Sequence, residues 1–218
     1  MGEVIITALR TLLSGGDEEL MMRVKATGDS RAFASLVSRW EEPIRRLCTR
    51  MTGDPYRGDD LKQETFARLF SKRATYLPTG KFSTYLWRIA LNICHDELRR
   101  VNRRRELFPQ ADADEGESVM AEFAADDPAP DARVAQAEEG EMVRQALMRL
   151  PEMYRSVLVL RHYERLKLSE IAETLEIPLG TVNSRMAEAL ARLTRLLEPQ
   201  FDQPQRPRES NRRELLVL

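Results

Sequence analysis

The chain has little of what would mark a secreted, membrane-spanning or β-rich protein. Cys48 and Cys94 are its two cysteines; both fall in helical patterns without framework spacing, which favours a reduced intracellular protein over a disulfide scaffold. No run approaches the roughly 20 apolar residues that span a bilayer, so direct membrane insertion is not expected. The opening MGEVIITALRTLLSGG lacks a basic start and a long apolar core, and Ile6 stands where a myristoylation signal has Ser or Thr. Residues 1–16 therefore read as a short extension, and the cytoplasm is the expected location. Aromatics make up 6% of the residues, and alternating runs of Val, Ile and Thr are nearly absent. Without that strand signal, the expected fold class is all-α.

Chemistry-bearing sets are equally sparse. Cys48, His95 and His162 share no ligand spacing, so no metal is expected. Cys94, His95 and Asp96 are adjacent, but neighbours on a helix point in different directions: Cys94 falls on the apolar side and His95 on the polar one. With no phosphate loop or nucleophile elbow either, neither an enzyme nor a cofactor is expected.

A formal net charge of -1 hides strong segregation. Residues 82–105 carry Arg88, Arg99, Arg100, Arg103, Arg104 and Arg105 against Asp96 and Glu97 alone, whereas residues 106–141 hold twelve Asp or Glu against Arg133. Such a basic run favours a polyanion partner. Residues 106–135, rich in Ala, Asp and Pro with little helical periodicity, read as an acidic linker. Two small helical domains flank it, 17–105 and 136–198, and the proline-bearing 199–218 reads as a flexible tail.

The most specific local pattern is LKLSEIAETLEIPLGTVNSRMAEALARL. Ser169 is placed to cap a short helix burying Ile171, Ala172 and Leu175; Pro178 marks a break, and a second helix buries Val182, Met186, Leu190 and Leu193. Small Ala172 permits the close, steep crossing of a helix-turn-helix. Glu176 stands where the turn often has Gly, costing about 1 kcal/mol if the residue must take positive φ. Thr181, Asn183, Ser184, Arg185 and Glu188 lie outside the apolar stripe and suit base edges and phosphates.

On the helix FSTYLWRIALNICHDELRRVNRRR, the residues Phe82, Leu86, Trp87, Ile89, Ala90, Leu91, Ile93, Cys94, Leu98 and Val101 fill an arc of roughly 200°. That face is core, and Trp87 belongs to it. The opposite ridge holds Thr84, Tyr85, Arg88, Asn92, His95, Asp96, Arg99, Asn102 and Arg103, a surface able to stack on bases, read their edges and hold phosphates.

Taken together, the two halves resemble the extracytoplasmic-function (ECF) sigma factors of bacterial RNA polymerase. DDLKQETFARLF is similar to the family's region 2.2, FSTYLWRIALNICHDELRR to regions 2.3 and 2.4, and ALMRLPEMYRSVLVLRHYERLKLSEIAETLEIPLGTVNSRM to region 4. The resemblance implies a factor that binds core polymerase, recognises minus-ten and minus-thirty-five promoter elements and promotes DNA melting. It assigns Asp60, Leu61, Gln63, Glu64 and Phe66 to the coiled coil of the beta-prime subunit, and implies the beta flap and an anti-sigma factor as further partners. Minus-ten contacts are expected from Lys81, Phe82, Ser83, Thr84, Tyr85, Arg88, Asn92, His95, Arg99 and Arg103. Minus-thirty-five contacts are expected from Thr181, Asn183, Ser184, Arg185, Glu188 and Arg192. The acidic linker has two readings: a solvated tether, or, as the resemblance implies and we favour, a segment that threads polymerase channels that otherwise hold RNA. Asn183, where Lys or Arg is frequent, and Ala187 and Glu188, which replace a commonly basic stretch, keep promoter specificity from being copied from relatives. The alternative is a helix-turn-helix regulator with an amino-terminal sensory domain, which the DDLKQETF helix opposes.

Overall fold

A computed structural model describes residues 16–107 and 130–201, and among these residues every regular element is helical. The first domain contains α1 (Asp17–Thr27), α2 (Ser30–Thr52), α3 (Pro55–Ser71), a short 3-10 turn (Arg73–Thr75) and α4 (Phe82–Leu107). The second contains α5 (Pro130–Arg149), α6 (Glu152–Leu158) running into a π-helical turn (Val159–Tyr163), α7 (Leu168–Leu175) and α8 (Leu179–Phe201). The fold class is the one expected. Residues 1–15, most of the linker and most of the tail lie outside the described residues.

Local chemistry sets the helix boundaries. The Asp29 carboxylate accepts from the N–H groups of Arg31 and Ala32 at 2.9 and 3.0 Å, and these bonds, with Arg23, hold its pKa below the usual carboxylate value. Asp54 caps α3 in the same way, ahead of Pro55 at the first helical position. Gly53 ends α2 at φ 79°, and a Cβ there would lie 2.7 Å from the Met148 sulfur of α5. Gly58 lets α3 cross α2 closely: a Cβ would sit 2.1 Å from Thr49 Oγ1.

Two starting points differ from expectation. Helix α5 begins at Pro130, so residues 130–135 are helical and do not belong to an irregular linker; Pro supplies a preset φ and needs no N–H partner in a first turn. Helix α7 begins at Leu168, and Ser169 lies inside it. The N-cap residue is Lys167, whose N–H donates to the carboxylate of Glu170 in the first turn at 2.9 Å.

The apolar side of α4 packs as the helical wheel predicts, with Phe82, Leu86, Ala90, Leu91, Ile93 and Cys94 at or near zero exposure and Trp87 at 4%. Trp40 meets Trp87 edge-on at 5.6 Å and Phe82 at 6.2 Å. Helix α1 is tied down by Asp17, which accepts from Arg39 at 2.7 Å and from the Trp40 indole at 2.9 Å. On α8 the packed stripe is Val182 and Ala189, both buried, with Met186 and Leu193 partly buried, while Leu190 is 43% exposed. Spacings of four, three and four follow the 3.6-residue turn, which carries Leu190 off the packed face.

The apolar core is continuous across both domains. Arg155 of α6, 6% exposed, donates to the carbonyls of Leu147 at 3.0 Å, Met148 at 2.7 Å and Leu150 at 3.0 Å, and to Met51 at the end of α2. One guanidinium thus satisfies helix-terminal carbonyls on both sides of the interface. Arg50 and Glu164 pair at 3.2 Å nearby; burial pushes the Glu164 carboxyl up and the Arg50 guanidinium down, and their contact opposes both shifts.

Candidate nucleic-acid interface

Helix α4 is positioned at its start by a residue far away in sequence. The Glu18 carboxylate accepts the Phe82 N–H at 2.8 Å, placing an anion at the positive end of the helix dipole. Phe82 itself is fully buried between Trp40 and Tyr76. Its ring therefore serves the core, which corrects its expected place among the base contacts. Thr84 is also buried, at 8% exposure. Tyr85 is half-buried, its ring 5.1 Å from that of Tyr76. Tyr76, 1% exposed, has its pKa raised to about 12, first by burial and then by the Glu18 carboxylate.

Beyond Tyr85, Arg88, Asn92, His95 and Arg99 follow at intervals of three or four and form one ridge. Asn92 is exposed. Arg103, one turn further on, is exposed too. The other three meet the second domain. Arg88 lies 2.7 Å from the Glu176 carboxylate and donates to the Glu173 carbonyl at 2.7 Å. Its Nε is buried without a partner. His95 Nε2 lies 2.8 Å from Ser156 Oγ; because that hydroxyl donates to the Glu152 carbonyl, the imidazole supplies the proton between them. Burial lowers the His95 pKa below its ordinary value. Arg99 stands 3.6 Å from Glu152, and Lys81 pairs with Glu170 at 2.6 Å. Nothing in the periodicity of α7 marks Glu170 or Glu176 as partners of this ridge.

The helix-turn-helix comprises α7 and α8. Glu176 joins them at φ 54° and ψ 42°, the left-handed geometry that the missing Gly would have favoured. Asn183 and Ser184 project from the first turns of α8 into solvent, and Ser184 donates to the Thr181 carbonyl at 3.0 Å. Thr181 is half-buried. Arg185 lines the cleft that also holds Arg88, Asn92, His95 and Arg99. Glu188 pairs with Arg192 at 2.6 Å, and the Arg192 guanidinium lies over the Tyr154 ring at 4.8 Å.

On α3, Asp60, Gln63 and Glu64 share an exposed face, with Glu64 bonded to Arg68 at 2.5 Å. Leu61 and Phe66 point the other way, at 5% and 7% exposure. The DDLKQETF stretch therefore mixes a surface with its own support, and the expected docking role of those two side chains is corrected to core packing. A motif read along the chain does not separate the faces of a helix.

Catalytic chemistry finds no foothold at Cys94. It is fully buried against Cys48, and that thiol contact and burial together push its pKa well above the ordinary value, away from the reactive thiolate. Among the described residues no group of three or more His, Cys, Asp or Glu could hold a metal. No helix there is long and apolar enough to cross a membrane.

Comparison with known proteins matches both halves. Residues 36–105 match Sigma-70 region 2, and residues 140–193 match Sigma-70, region 4. The ECF RNA polymerase sigma factor SigW of Bacillus subtilis is 35% identical over 159 residues, 73% of this chain and 85% of that protein. The RNA polymerase sigma-H factor of Pseudomonas aeruginosa is 32% identical over 186 residues, 84% of this chain and 94% of that protein. The solved structure of CnrH in complex with the cytosolic domain of CnrY shares the fold, with a TM-score of 0.60 at 24% identity over 84% of this chain and 97% of that one.

Proposed function

This chain belongs to the ECF sigma factors of bacterial RNA polymerase, and on that premise we propose that it binds core polymerase, recognises minus-thirty-five and minus-ten promoter elements and promotes melting of promoter DNA. The observation that carries the reading is the pair of matched regions, 36–105 and 140–193, present in that order in one chain. A sigma factor acts by binding. Opening DNA unstacks bases at a few kcal/mol each, and a stacking contact on the protein returns about 1–3 kcal/mol per base.

The proposed boundaries are 17–107 for the polymerase and minus-ten domain and 130–198 for the minus-thirty-five domain. Core docking is assigned to the exposed α3 face of Asp60, Gln63 and Glu64, supported from beneath by Leu61 and Phe66. Minus-ten contacts are assigned to Lys81, Ser83, Tyr85, Arg88, Asn92, His95, Arg99 and Arg103, with Asn92 able to pair with a base edge. Minus-thirty-five contacts are assigned to Thr181, Asn183, Ser184 and Arg185 at the start of α8, with Glu188 and Arg192 as a preset pair behind them. An anti-sigma factor is the proposed regulator; CnrH and a Bartonella quintana RpoE are each described in complex with a partner, CnrY and the anti-sigma factor NepR respectively.

Titration of fluorescent protein against sigma-free core polymerase tests the docking assignment. Nanomolar binding that weakens at least ten-fold in an Asp60→Ala, Gln63→Ala, Glu64→Ala triple variant is expected. Binding indifferent to all three changes would remove that face from the interface.

A further inference from the structure

Helix α8 carries an apolar stripe that the second domain covers only in part. Met186, Leu190, Leu193 and Leu197 recur at intervals of four, three and four and fall within an arc of about 60°, the seam on which a second apolar segment packs. Met186 and Leu193 lean on the core and Leu197 is half-buried, whereas Leu190 is 43% exposed. Ala187, Ala191 and Thr194, all exposed, border the stripe and leave room for another backbone to come close. Arg185, Glu188 and Arg192 lie about 100° or more away around the helix, so the stripe is separate from the surface assigned to the minus-thirty-five element.

Size decides between occupants. From Met186 to Leu197 the stripe runs about 16 Å along a helix about 10 Å wide, an area of about 160 Å². A stable complex of separate chains buries about 1,200–2,000 Å² in total, so pairing of two copies through this stripe falls well short. A segment of the same chain needs far less, because a short tether holds it at an effective concentration in the millimolar range. Residues 202–213, DQPQRPRESNRR, contain no Val, Ile, Leu, Met or aromatic residue, and residues 214–218 then read ELLVL. Twelve intervening residues have a root-mean-square reach of about 20 Å, and Leu197 and Leu190 lie about 6 and 16 Å back from the end of α8 at Phe201. Reach and span therefore match. Arg212 and Arg213, directly before the apolar run, complement Glu198, which is exposed beside Leu197.

We propose that residues 214–218 dock on the α8 stripe, with Leu215, Leu216 and Leu218 against Leu190, Leu193 and Leu197. The inference does not depend on the sigma-factor reading. The contact keeps the stripe from associating with other molecules, and any apolar helix that meets the second domain on this face has to displace it.

The test places a nitroxide on Ser210→Cys in the full, isotope-enriched chain and reads the loss of amide signal intensity along α8. Native Cys48 and Cys94, at 0% exposure, stay unlabelled. The signals of Leu190 and Thr194 should lose more than half of their intensity, and should recover about two-fold when Leu215→Ser, Leu216→Ser and Leu218→Ser are combined. Leu190→Gln, a change at an exposed position of the stripe alone, should give the same recovery at Thr194. Intensities that are equal in the parent and in these variants would overturn the proposal. So would loss of signal in an enriched chain without nitroxide that is mixed with the spin-labelled chain, because that result assigns the stripe to a second copy.

Discussion

The guanidinium of Arg88 and the carboxylate of Glu176 sit 2.7 Å apart, joining the ridge of α4 to the one non-glycine residue that gives the helix-turn-helix its left-handed turn. Glu176 thus carries two opposing contributions. Its backbone costs about 1 kcal/mol relative to Gly, and its side chain, 66% exposed, returns a pair worth about 0.2–1 kcal/mol. Glu176→Gly should therefore be close to neutral in dilute buffer. At high salt, where the pair is screened, it should stabilise by about 0.5–1 kcal/mol. Denaturant titrations at the two salt concentrations check the difference.

Phe66 and Gln63 belong to one motif and should fail differently. Phe66→Ala opens a cavity in the first domain and should cost about 3–5 kcal/mol of stability. Gln63→Ala, on the exposed side, should change stability by less than about 0.5 kcal/mol and act on core affinity. Unfolding midpoints measured beside core binding separate the two; a destabilised Gln63 variant would contradict the division of faces.

Much of this was legible from periodicity. The buried arc of α4 and the positive-φ demand at Glu176 follow from spacing and backbone chemistry. The cleft was not, because Lys81–Glu170 and Arg88–Glu176 join residues more than 80 positions apart, and a single long-range pair leaves no periodic trace. Leu190 shows the remaining weakness: apolar identity placed it in the core, whereas a turn of 3.6 residues assigns that place to Ala189. Leu61 and Phe66 went astray for a related reason, since a family pattern records residues retained for docking and for packing alike.

Arg155 should be irreplaceable by shape or by charge alone. Arg155→Ala leaves four carbonyls without their donor and should cost more than about 3 kcal/mol. Arg155→Lys should recover less than half of that loss, because an ammonium cannot reproduce the planar fork. Hydrogen exchange at the end of α2 should rise in both variants, since Met51 is the acceptor across the interface.

His95 gives the contact between α4 and α6 a pH dependence. Its pKa is lowered by burial; Arg99 and Arg155 act in the same direction, and Glu152 and Asp96 oppose it. The fold therefore favours the neutral imidazole. Its contribution is complete above the ordinary value near 6.5 and declines as pH falls below it toward the lowered value. Unfolding free energy from denaturant titrations should drop as pH falls from about 7.5 to about 5.5, and His95→Gln should flatten that drop. A profile unchanged by the substitution would assign the effect to other groups.

Asn92, exposed on the ridge of α4, should matter at a later step than Gln63. Asn92→Ala is expected to leave core affinity within two-fold and to reduce promoter opening, read by permanganate reactivity of unpaired thymines, by about ten-fold. Equal losses in both steps would undo the assignment.

The most direct measurement of the central claim is reconstituted transcription: the full-length protein added to sigma-free core polymerase with a library of promoter sequences, followed by sequencing of the transcripts. The account predicts initiation that depends on the added protein and selects templates with two separated elements. Folded protein that binds core polymerase yet yields no start above core alone, with no inhibitor present, would contradict it.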